Sequence, residues 1–138
     1  MNLTTFHPPL EISKNIRNFD ICLTVYLQME ESFIYYIESS IKENWDRPAL
    51  TDYHGINCNY KDVARKIEKL HILFEHAGIK KGDKIALCGR NSTNWGIAFL
   101  ATLTYGAVVV PILNEFKPDN IHNIVNHSEA RLLFVGSV

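Results

Sequence analysis

Residues 82–112 read GDKIALCGRNSTNWGIAFLATLTYGAVVVPI. Ile85 to Cys88 is a short apolar run between Gly82 and Gly89, the length and composition of a buried strand. Ser92 offers a helix cap, the residues through Tyr105 carry no breaker apart from Gly96, and Gly106 supplies the stop. Ala107 to Ile112 is a second run, rich in valine. A strand, a helix and a strand joined by short turns form a right-handed crossover, which places the two strands parallel.

The same grammar continues on both sides. Downstream, Pro118 suits the first turn of a helix, where its missing N–H costs nothing. Ile121, Ile124 and Val125 give that helix one apolar face, and Leu132 to Val135 is a third run. Upstream, Asn59 caps and Asp62 opens a helix whose stripe is Val63, Ala64, Ile67, Leu70, Phe74 and Ala77, stopped by Gly78. Before it, Ala49 to Tyr53 and Ile56 to Asn59 read as a hairpin turned at His54-Gly55. An amphipathic helix runs from Glu30 along Phe33, Ile37, Ile41 and Trp45 until Pro48 ends it. The expected fold class is α/β: a βαβαβ parallel sheet segment preceded by an amphipathic helix, a β-hairpin and a second helix.

Open parallel sheets bind ligands beyond the carboxyl ends of their strands. Those ends are Gly89 to Ser92, Leu113 to Phe116, and Gly136 onward, with Asn91, Asn114 and Glu115 as polar candidates. Turning the chain and capping a helix is the competing, preferred role for Asn91 and Ser92. Trp95, Phe99, Leu100 and Leu103 could line an acyl pocket, but a helix apolar on nearly every face reads first as core.

A chain of 138 residues supports a single core. It is 46% hydrophobic and 21% charged with a net charge of -1, so neither disorder nor the cationic footprint of a nucleic-acid binder is expected. Cys22, Cys58 and Cys88 form no CxxC pair and read as reduced thiols, in keeping with the cytoplasm. His71 and His76, like His122 and His127, are spaced onto different helix faces, and no metal site is expected. Ile21 to Leu27 is too short for a membrane span, and Gln28, Met29 and Glu30 follow where a signal peptide needs small residues. Met29 could be the true start. We divide the chain into a loosely held extension, 1–28, and a domain, 29–138.

Catalytic signatures are missing. Gly89 and Gly96 make neither GxGxxG nor GxxxxGK[ST], and GxSxG and HExxH do not occur. On the residues alone the reading stops at an α/β domain.

Ordered similarity carries it further. NYKDVARKIEKLHILFEHAGIKKGDKIALCGRNSTNWGIAFLATLTYGAVVVPI (59–112), KPDNIHNIVNHSEA (117–130) and RLLFVG (131–136) together resemble the beginning of the AMP-binding domain of adenylate-forming enzymes. Long-chain fatty-acid-CoA ligases resemble it most. The preceding ESFIYYIESSIKENWDRPALTDYHG (31–55) is similar to that family's first helix and hairpin. The resemblance implies an ATP-dependent acid-thiol ligase in which a carboxylate and ATP give an acyl-adenylate, and CoA then takes the acyl group. ATP, magnesium and CoA are its implied cofactors and fatty acid its implied substrate. The family's phosphate loop, nucleotide contacts, hinge and C-terminal lysine would all lie beyond Val138. No functional residue carries over, and the catalytic, cofactor and metal assignments are none.

Lys117 stands where the family often has a threonine cap, and the loop at 113–116 reads LNEF. The expectation is an N-terminal fragment of an acyl-CoA synthetase, inactive alone, with self-association through an uncovered sheet. The alternative is a stand-alone nucleotide-binding or interaction module without turnover.

Overall fold

The computed structural model describes residues 32–136. The extension 1–28, the start of the first helix at Glu30 and everything after Gly136 lie outside the described residues.

Helix α1 (Phe33–Glu43) is capped by the Ser32 hydroxyl, which accepts from the Tyr35 N–H at 3.2 Å. The four-residue period through Trp45 predicts a helix that lasts until Pro48. The structure ends it at Asn44, whose backbone N–H and side-chain amide both donate to the Ser40 carbonyl at 3.1 Å. Pro48 instead opens strand β1 (Pro48–Thr51), which pairs antiparallel with β2 (Asn57–Asn59). The hairpin is present, but its strands are shorter and its turn wider than expected. Gly55 N–H donates to the Asp52 carbonyl, Asp52 N–H to the Ile56 carbonyl, and His54 takes a positive φ of 53°. These bonds keep Tyr53 and Ile56 out of the ladder.

Helix α2 (Tyr60–His76) begins with the Asp62 carboxylate accepting the Asn59 N–H at 3.1 Å. Val63, Ile67 and Phe74 are buried along its stripe, while Ala77 is exposed at the C-terminal end. Then follow β3 (Lys84–Cys88), α3 (Thr93–Tyr105), β4 (Val108–Ile112), α4 (Pro118–Ser128) and β5 (Leu132–Val135). The three strands form a parallel sheet in the order β4-β3-β5.

That order explains the layers. The step from β3 to β4 goes one way along the sheet, and the step from β4 to β5 crosses back over β3. Right-handed crossovers in opposite directions put their helices on opposite faces. Accordingly Ile85 and Leu87 of β3 face a core with Phe74 of α2 and Ile97, Ala98 and Ala101 of α3. Ala86, Cys88 and Ile112 face the other way, toward Ile121, Ile124 and Val125 of α4. Alternating side chains of one strand thus serve two apolar clusters, one on each face of the sheet, where the chain's length led to the expectation of a single core. Phe74, fully buried, meets Tyr105 edge to face at 5.3 Å between centroids. Between α2 and α3, His71 Nε2 lies 3.0 Å from both the Ala101 carbonyl and Thr104 Oγ1. The carbonyl can only accept, so Nε2 carries the proton.

Candidate functional site

The carboxyl ends of β3 and β4 part to leave a cleft of about 740 Å³. Its walls are Gly89, Arg90 and Asn91 after β3, Trp95 on α3, Pro111 and Ile112 at the end of β4, and Leu113 to Glu115 after it. The structure therefore brings Asn91, Asn114 and Glu115 to one place. Sequence reasoning passed over Arg90, although a cation between the strand-ending Gly89 and Asn91 was a readable signal. Among the described residues none of these four side chains makes a side-chain hydrogen bond.

Ser92 does what a cap does: its Oγ accepts from the Trp95 N–H at 3.2 Å. A second acceptor arrives from far along the chain, where the Asp52 carboxylate in the hairpin turn takes the Thr93 N–H at 2.6 Å. The negative charge sits against the positive end of α3. It ties the hairpin to the helix that forms one wall of the cleft. Trp95 stacks on Phe99, with centroids 5.4 Å apart and planes 19° from parallel. Phe99, Leu100 and Trp95 are half-buried against the main core, so the core reading of α3 holds, with Trp95 also reaching the cleft.

The topological switch point lies between β3 and β5, where a doubly wound sheet ordinarily opens. Here it is shut. A Cβ placed on Gly89 would stand 3.1 Å from Gly136 Cα, and the Gly136 N–H donates to the Cys88 carbonyl at 2.8 Å. Among the described residues, the strand-end cleft lies on the β3–β4 side.

The cleft offers one guanidinium and one carboxylate. A magnesium-bound triphosphate calls for several cationic or amide donors and oxygen ligands together. The lining does not fit that group by itself, and no chemical step is derived through it.

No helix among the described residues is long and apolar enough to cross a membrane. YdaB of Bacillus subtilis, an acyl-CoA ligase by name, is 35% identical over 78 residues, 56% of this chain and 16% of its own length. Surfactin synthase subunit 2 of the same bacterium is 30% identical over 96 residues, 70% of this chain and 3% of its own. Long chain acyl-CoA synthetase 3 of Arabidopsis thaliana is 33% identical over 75 residues, 54% of this chain and 11% of its own. The chain thus spans a sixth or less of the length of these relatives. Among solved structures, the N-terminal subdomain of NpsA from Klebsiella oxytoca superposes with a TM-score of 0.68 over 78% of this chain and 28% of its own, at 23% identity. That likeness shows the fold: helices around a parallel sheet, as in the N-terminal subdomain of an adenylating enzyme. The sequence profile described as AMP-binding enzyme matches residues 37–138, from within α1 through the cleft and past β5. With that match covering most of its length, the chain belongs to the AMP-binding enzyme family.

Proposed function

We propose that this chain is the N-terminal scaffold of an ATP-dependent acyl-CoA synthetase of the long-chain fatty-acid type, and that it does not turn over substrate by itself. The observation that carries this reading is the family match over residues 37–138, in a chain whose cleft lacks the donors that a triphosphate needs. In the whole enzyme the reaction would join a carboxylate to AMP with release of pyrophosphate and then pass the acyl group to CoA, with magnesium assisting. Residues 29–138 form the enzyme's first α/β unit and 1–28 an extension to it. The relatives that are acyl-CoA ligases or synthetases by name support the CoA-dependent branch. The similarity to surfactin synthase supports only the shared adenylating step. Reduced thiols suit a cytoplasmic setting, and the unpaired sheet edges would bring copies of the isolated chain together.

The size of the cleft, about 740 Å³, is the observation behind a second reading, a stand-alone domain that binds a nucleotide without turning it over. Calorimetric titration of the full chain with ATP, AMP and CoA separates the two. The scaffold reading expects no binding in the micromolar range. A micromolar, one-to-one isotherm for any of the three would favour the second reading.

A further inference from the structure

Helix α1 carries more apolar surface than the described residues cover. None of its residues is buried, and Phe33, Ile34, Tyr35 and Tyr36 are all exposed. Its inward face, Phe33, Tyr36, Ile37 and Ile41, walls a groove of about 330 Å³ that Leu50 of β1 and Leu100 of α3 help to close on the far side. Cover along the groove is uneven. Ile37 and Ile41 are half-buried, whereas Phe33 at 57% and Tyr36 at 53% exposure stand open. The open end is therefore the end at which the chain enters α1. Contiguous exposed aromatic residues of this kind mark a surface that something covers.

The chain supplies an occupant of matching length. The apolar run ICLTVYL at 21–27 precedes α1, and its residues alternate: Ile21, Leu23, Val25 and Leu27 share one face of an extended segment, and Cys22, Thr24 and Tyr26 the other. An extended segment from Leu23 to Leu27 covers about 13 Å. On a helix, Phe33 to Ile41 rises about 12 Å. The residues between the run and α1, Gln28 to Ser32, have the ordinary length of a connection, about 2–6 residues, so the run can reverse and lie antiparallel to the helix. A segment tethered this closely meets the groove at an effective concentration of about a millimolar, which favours it over a second copy or a free ligand.

We propose that the groove along α1 is the docking site of this chain's own residues 21–27, with Leu23, Val25 and Leu27 turned into it over Phe33 and Tyr36. The run then completes the packing of the first helix. The proposal concerns the fold of this chain and stands apart from the scaffold reading above.

Hydrogen exchange of the full chain, read by mass spectrometry, tests it. The double variant Leu23→Asp/Val25→Asp places charge on the aliphatic face of the run, and Cys22→Asp/Thr24→Asp places it on the opposite face. Peptides covering Phe33–Glu43 are expected to exchange about tenfold or more faster in the first variant and unchanged in the second. Peptides from β3 and α3 are expected to stay unchanged in both, which reports an intact core. Photo-crosslinking from benzoylphenylalanine in place of Val25 gives an independent reading, with the expected adduct inside one chain on the peptide that holds Tyr36 and Ile37. Should the first variant loosen β3 as well, the crosslink decides alone. The proposal is overturned if neither aspartate pair alters α1, if both alter it equally, if the crosslink joins two copies, or if the adduct falls outside the groove walls.

Discussion

Thr93 is 3% exposed, and its Oγ1 finds no hydrogen-bond partner among the described residues, while its backbone N–H is held by Asp52. The two groups should respond oppositely to substitution. Thr93→Val removes a hydroxyl already denied water and is expected to leave stability unchanged or raised. Asp52→Ala removes the second acceptor at the start of α3, leaving the Ser92 cap, and is expected to cost about 1 kcal/mol. Urea unfolding followed by circular dichroism checks both. A loss for Thr93→Val equal to that for Asp52→Ala would mean that the hydroxyl has a partner, and no loss for Asp52→Ala would mean that the carboxylate is dispensable.

Asp83 answers to pH. Its carboxyl is held below the ordinary value, chiefly by the Lys80 N–H at 2.8 Å and then, against some desolvation, by Arg131 at 3.1 Å. Because the folded value is depressed, the stabilisation is fully present above the ordinary aspartate range and lost as pH falls through the folded value. Unfolding midpoints measured from neutral pH into acid should show less acid sensitivity in Asp83→Asn than in the parent chain. None of these residue contacts was legible beforehand. The Asp52–Thr93 and Asp83–Arg131 pairs are brought together only by the closed fold, and a single sequence carries no period that links them.

Elements follow local chemistry, and there the sequence was most readable. Ser92, Gly106, Pro118 and the apolar runs placed α3, β4, β5 and the start of α4 to within a residue, because caps, stops and apolar runs are local signals. The hairpin was foreseen, but its strand lengths and the end of α1 differ from expectation, where a turn's hydrogen bonds compete with the ladder and where Asn44 back-bonds to Ser40. The glycine stops make a graded prediction. Gly106 has a φ of 82°, and an added Cβ would lie 3.2 Å from Lys81 Cγ. Gly78, at 69°, has nothing within 4 Å. Both alanine variants should lose on the order of 1–2 kcal/mol from the left-handed backbone alone. Gly106→Ala should lose more, unless the flexible Lys81 side chain swings clear. Paired thermal melts of the two variants give the order.

At the scale of the molecule, the parallel sheet and its strand-end loops were foreseeable, and the structure gathers Asn91, Asn114 and Glu115 into one cleft at the carboxyl ends of β3 and β4, beside the switch point and not at it. The sequence could not say which side of β3 would open. That depends on strand order and on the close approach of Gly89 and Gly136. Family membership follows from the matched profile, and the cleft itself contributes a single guanidinium. The direct test is pyrophosphate release by the purified chain incubated with ATP, magnesium, CoA and fatty acids of graded length. Release no faster than in buffer is the predicted result, and robust, acid-dependent release would contradict the account.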